Sequence, residues 1–291
     1  RKQAWSVKVG GLKGGHSGLT IHENRANALR LLARFLFSAA RDVRGKIYLV
    51  SVTGGDKHNA IPREAEAVFL ASARAGASLR RLAKQVTKDA LTEFKTIDPD
   101  ISIEVDEAKD APTEVMHKKD AARVVHVLLA LPHGVEAMSR DIKGLVETSS
   151  NLASVRTADG KVEIVTSSRS SVMPALRTIR DRIIAIGTLA GAEVVDHGGY
   201  PAWQPDMGSK ILKLAKQTFA EEFGHEPHVT AIHAGLECGI IGDKFEGMEM
   251  ISFGPNLFGV HSPDERVQIS TAVTFWKLFK ALLKKISQQR R

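Results

Sequence analysis

A chain of 291 residues with 43% apolar and 25% charged side chains has the make-up of an ordinary globular protein, long enough to bury a sizeable core in one or two domains. Its formal charge of +8 invites a nucleic-acid reading, but the basic residues are scattered and interrupted by Asp98, Asp100, Glu104, Asp106 and Glu107. With 5% aromatic residues and no basic–aromatic interleaving to stack bases, and no apolar run near the ~18–20 residues that span a bilayer, neither nucleic acid nor membrane is expected as a partner.

The chain opens on RKQAWSVKVGG, an extended segment already under way, with no initiator Met and no secretory signal, which suggests a truncated chain. Leu29, Leu32, Phe35 and Leu36 then recur at helical spacing and predict a helix over 24–40, with Asn24 placed to cap it. Segments 47–53 and 63–71 are β-like, joined by a Gly-Gly-Asp turn and the run HNAIP. A helix over about 78–95, a strand at 101–107 and a helix near 118–131 that ends at Pro132 follow. Residues 147–157 and 161–168 predict a hairpin, because Asp159-Gly160 supplies the positive φ of a tight turn. Pro174 opens another helix, closing at Gly191.

Residues 1 to about 195 therefore read as a sheet with helices packed on one face. The stretch HGGYPAWQP (197–205) reads as a linker or a crossing between domains. Beyond it the pattern predicts a helix at 209–223, strands at 228–233 and 248–253, and an amphipathic helix at 270–288. So little α/β material would leave a thin core and open sheet edges, so it is expected to complete a larger sheet whose other strands lie upstream.

Standard chemical motifs are missing: there is no P-loop, dinucleotide fingerprint, HExxH or nucleophile elbow. The single cysteine, Cys238, excludes an intramolecular disulfide, suggests a reducing, cytoplasmic compartment and reads as a structural thiol. Three clusters could carry chemistry. In GGHSG (14–18) glycines allow close backbone approach and His16 projects from the loop, although a flexible turn with an incidental histidine fits equally. In HAGLECG (233–239) Gly235 and Gly239 argue for a loop rather than a helix; His233 and Glu237, four apart, could ligate a metal or form a buried hydrogen-bonded pair. In HSPDE (261–265) a turn-held His261 beside Asp264 and Glu265 suits a metal ligand, though one ligand is not a site.

Together, KGGHSG (13–18), HNAIPRE (58–64), VETSSNLASV (146–155), SSRSS (167–171), GGYPAWQPD (198–206), HAGLECG, SFGP (252–255) and HSPDE resemble, in order and approximate spacing, the bacterial aminoacyl-histidine dipeptidases, carnosinase-like zinc peptidases. The resemblance covers essentially the whole chain. It implies a two-layer α+β lid, or dimerisation, domain over 1–195. Residues 196–291 would be the carboxy-terminal part of an α/β catalytic domain whose amino-terminal part is absent. It further implies dipeptide substrates, a homodimer formed through the lid, and two zinc ions.

By resemblance His261 is a zinc ligand, and Arg169 binds the substrate's terminal carboxylate, a task suited to a bidentate guanidinium. Asn59 and the backbone at Gly235 contact substrate, and Glu237 is a substrate-amine partner or a support to the metal ligands. His16 reaches the neighbouring subunit's site as a catalytic oxyanion stabiliser. The family's bridging Asp, general-base Glu and other ligands lie upstream of the lid, where this chain has about fifteen residues. Alone, it is expected to bind zinc weakly and to be inactive, and a non-catalytic dimerisation or peptide-binding protein is the alternative.

Overall fold

The computed structural model describes residues 2–108, 114–199, 201, 203, 206–231, 237–258 and 265–289. They divide into two compact units, one running to Gly198 and one built from the residues beyond it.

In chain order the first unit contains β1 (Lys2–Gly10), β2 (Gly15–His16), α1 (Ala28–Asp42), β3 (Tyr48–Gly54), β4 (Ala60–Ile61), β5 (Ala65–Ser72) and α2 (Gly76–Phe94). It continues through β6 (Ser102–Glu107), α3 (Lys118–Ala130), β7 (Gly134–Met138), β8 (Val146–Ala158), β9 (Lys161–Ser170) and α4 (Met173–Leu189). Seven strands form one antiparallel sheet in the order β6-β1-β5-β3-β8-β7, with β9 also paired to β8. Trp5, Val7 and Val9 stand opposite Phe69, Ala67 and Ala65, so β1 and β5 turn one apolar row to the same side. There the row meets the apolar faces of α1 and α2, through Leu29, Leu32, Phe35, Leu36, Leu79 and Val86, in one continuous core. This is the two-layer α+β arrangement that the alternation of patterns implied.

Two boundaries move for physical reasons. Helix α1 starts at Ala28 rather than at 24, because Asn27 is the cap: its side chain accepts from the N–H groups of Leu29 and Arg30. Asn24 instead sits at φ 53 and closes a short 3-10 turn over Ile21–Glu23. The β8–β9 turn is as expected, with Asp159 at φ 50 and Gly160 at φ 72.

Along β8 a gap opens between the partners on one side, since β7 pairs only as far as Ser150 and β3 begins at Val155. Side chains fill it. Asn27 Nδ2 donates to the Leu152 carbonyl at 2.9 Å, and His133 Nδ1 accepts from the Leu152 N–H at 3.4 Å. Both backbone groups of a fully buried residue are thereby satisfied without a neighbouring strand.

The second unit contains α5 (Lys210–Phe223), α6 (Glu237–Lys244), β10 (Leu257–Phe258), β11 (Arg266–Val267) and α7 (Ile269–Gln289). Ser209 caps α5 through Leu212 N–H, and α5 lies against α7, tied by ion pairs of Lys285 with Glu221 and Lys277 with Glu222. Of the strands expected at 228–233 and 248–253, residues 228–231 and 248–253 are irregular, and 232 and 233 lie outside the described residues. A strand exists only by pairing, and the pairing present here is the two-residue ladder β10–β11. Among the described residues no helix is long and apolar enough to cross a membrane.

Candidate functional site

The loop GGHSG is built around its glycines. Gly14 lies at φ 62 and Gly15 at φ 143, and a Cβ on Gly15 would come within 2.3 Å of Thr20 Oγ1 and 2.6 Å of Arg25 Nη1. Arg25 closes over this turn, bonded to the Gly14 carbonyl and paired with Glu23 at 2.8 Å. The loop is anchored at its base by Asp98, a fully buried carboxylate that accepts from Lys13 N–H at 2.7 Å and Ala26 N–H at 2.8 Å.

His16 is half-buried, and its Nδ1 accepts from the N–H groups of Gly18 and Leu19, both at 3.1 Å. That fixes the ring's orientation and makes Nε2 the donor nitrogen of the neutral imidazole. His16 pairs with Ala60 in the β2–β4 ladder, and the Ser17 N–H donates to the Asn59 carbonyl at 2.8 Å. Two residues singled out 43 positions apart thus share one small structure.

Arg169 reaches the same region through the sheet. Thr148 and Ser150 form hydroxyl pairs with Ser170 and Ser168, and they share a sheet face with Leu152, which lies in the core. The alternating residues Ser149 and Asn151, opposite Arg169 and Ser167, turn to the other face. Asn151 is 1% exposed, and its Nδ2 donates to the carbonyls of Ala60 at 2.8 Å and His58 at 3.3 Å. The segment carrying Asn59 is therefore laid on the face from which Arg169 projects. Arg169 is the diagonal cross-strand neighbour of Asn151, about 7–8 Å away along the sheet. Ile21, Ile61 and Val146 make a small apolar cluster beside them.

The chemistry of this patch is that of an anion site with hydrogen-bonding company. Burial pushes the Arg169 guanidinium below its usual range, its Nε lacks a hydrogen-bond partner, and among the described residues it has no ion pair. A desolvated cation without a counter-ion favours an anionic ligand, and the planar guanidinium suits a carboxylate. Ser17 Oγ and Asn151 Oδ1, also buried, have no partner among the described residues either.

The remaining expected residues are placed differently. Gly235 and His261 lie outside the described residues, as does His233. Glu237 is exposed at the first position of α6, so the expected loop at HAGLECG gives way to a helix from that residue onward. Gly239 does not break it. It lets the helix approach the chain at Pro201, whose carbonyl oxygen would lie 2.3 Å from a Cβ there, and the Glu237 carboxylate complements the helix amino terminus. Burial pushes the Cys238 thiol above its usual range. Among the described residues no group of three or more His, Cys, Asp and Glu side chains could hold a metal ion, so they do not by themselves fit one.

Sequence reading missed Asn151, Asp98 and His133. The signal for Asn151 was the polar run Thr148-Ser149-Ser150-Asn151, in the middle of a strand and buried throughout. Asp98, in the Ile97–Asp100 turn region, gives no local sign of its two distant backbone donors.

Residues 7–98 match the family model of the M20 peptidase dimerisation domain. The cytosol non-specific dipeptidase of Escherichia coli (strain K12) is 35% identical over 285 residues, covering 98% of this chain and 58% of that protein. The crystal structure of aminoacylhistidine dipeptidase from Vibrio alginolyticus superposes with a TM-score of 0.89 at 36% identity, covering 98% of this chain and 57% of the other. The chain thus spans somewhat under three fifths of the length of these relatives. Over that span it resembles these dipeptidases, and residues 7–98 carry the M20 peptidase dimerisation domain.

Proposed function

We infer that this chain contributes the substrate-gripping lid, and part of the catalytic domain, of a cytosolic metal-dependent dipeptidase acting on dipeptides such as aminoacyl-histidine. The observation that carries the reading is the convergence of Arg169, Asn59 and His16 on one sheet face, in a chain similar over 98% of its length to an aminoacylhistidine dipeptidase. In this reading Arg169 takes the substrate's terminal carboxylate and Asn59 hydrogen-bonds its polar atoms. His16, its ring held by Gly18 and Leu19, presents Nε2–H to the oxygen that gains charge as the amide is attacked. The dimerisation-domain match supports a homodimer assembled through the first unit. The family's zinc would supply the activated water. No step through it is assigned to this chain, because His261 falls outside the described residues and those described form no ligand set.

Calorimetric titration with glycyl-histidine tests the reading on this chain. Binding is expected, and Arg169→Ala is expected to weaken it by about 2–3 kcal/mol, some 30- to 150-fold, as a charged hydrogen-bonded pair is lost. Absence of binding to the unaltered chain, with or without added Zn²⁺, sinks the proposal; binding indifferent to Zn²⁺ and to Arg169 sinks the assigned roles.

A further inference from the structure

We propose that Asn151 is the positioning residue of this site, a single carboxamide that holds Asn59 and, through it, His16. The inference rests on the functional reading above for what the site binds, but its structural part stands on geometry alone. Asn is disfavoured in strand interiors, and a buried amide is costly unless bonded, yet Asn151 is 1% exposed in the middle of β8. Its two amino hydrogens go to the carbonyls of His58 and Ala60, the residues on either side of Asn59. The carbonyl between them, that of Asn59, takes the Ser17 N–H. Three successive peptide oxygens are therefore committed, which restrains the backbone that carries Asn59. His16 precedes Ser17 and pairs with Ala60, so the imidazole is fixed in the same frame.

The apolar contact among Ile21, Ile61 and Val146 also presses this segment to the sheet, but such contact is non-directional and sets distance rather than register. Only a donor can face two carbonyl oxygens, so the amide has one possible orientation, with Oδ1 turned away. That Oδ1 is buried and has no hydrogen-bond partner among the described residues.

Asn151→Asp keeps the shape and removes the donors, setting a carboxylate against two carbonyl oxygens; Asn151→Ser is a neutral variant that cannot reach them. Amide hydrogen exchange on the full chain gives the first readout. In either variant the Ser17 amide should exchange about tenfold faster or more, while Val7 and Phe69 in the sheet centre keep their protection. The second readout is glycyl-histidine titration, in which Kd should rise about tenfold with the fold intact. Unchanged exchange at Ser17, or equal acceleration at Val7 and Phe69, overturns the proposal, the latter because it marks general destabilisation. Selective exchange with an unchanged Kd overturns the link to the ligand. If the unaltered chain binds no glycyl-histidine, the functional reading fails while the exchange result still decides the role of Asn151.

Discussion

Asp98 touches neither His16 nor Asn59, yet it fastens both ends of the segment that carries His16. Its two oxygens accept the N–H groups of Lys13 and Ala26 in a fully buried position. Removing the carboxylate would strand a buried donor at Ala26 and a part-buried one at Lys13, each loss costing about 1–3 kcal/mol. Asp98→Ala is therefore expected to lower unfolding stability by about 3 kcal/mol in urea denaturation, and a loss under 1 kcal/mol would show that water replaces the side chain.

His133 makes the complementary case of a buried base. Burial chiefly, and Arg30 next, push its pKa from 6.5 to about 4, so the folded protein holds a neutral ring whose Nδ1 accepts from Leu152. Between those two values the unfolded chain binds the proton and the folded one does not, so stability falls as pH drops from 6.5 towards 4. The contribution approaches about 3 kcal/mol, fully present above pH 6.5. His133→Gln should flatten the stability profile between pH 7 and pH 4 by close to one proton; an unchanged slope would place the titration elsewhere. Neither Asp98 nor His133 was legible in the sequence, because their partners stand 72 to 85 residues away for Asp98 and 19 for His133.

Among the elements, the strongly periodic ones were legible and the dependent ones were not. The apolar spacing of α1 and the Asp159-Gly160 turn are local properties, visible in any window of the sequence. The start of α2 has a cause that no window contains. Gly76 opens that helix against the buried Trp5 ring, where a Cβ would lie 2.3 Å from the indole. Replacing a helical glycine by alanine ordinarily gains up to about 1 kcal/mol, while overpacking costs about 1–3 kcal/mol. Because Trp5 is 2% exposed and cannot retreat, the steric effect wins. Gly76→Ala should lower the midpoint of thermal unfolding, and a raised midpoint would refute this packing argument.

In the second unit, segments 228–231 and 248–253 have strand composition but no strand partners among the described residues, and they are irregular. Helix α7 shows the same dependence. Ile269, Val273, Trp276 and Leu283 recur at three- and four-residue steps, with Lys280 in the same row, and are 49–80% exposed. Periodicity announces such a face, but not what it meets.

At the scale of the whole molecule, the match of residues 7–98 to a dimerisation domain makes assembly the property to measure. Sedimentation velocity at micromolar concentration is expected to give a particle of about twice 31.6 kDa. A monomer under those conditions would mean that this chain does not self-associate through that region.

The sequence by itself determined the class of fold and the likeness to dipeptidases, and it singled out candidate residues by their neighbours in the chain. His16 stands among glycines, Asn59 in a turn-rich run, and Arg169 in a strand ending in serines. Only the tertiary structure brings these segments to one side of the sheet, because that depends on which face the side chains of β8 and β9 leave. Strand register sets that, through pairing with residues far away. The same pairing turns Asn151, an unpromising residue in a polar run, towards the carbonyls that flank Asn59.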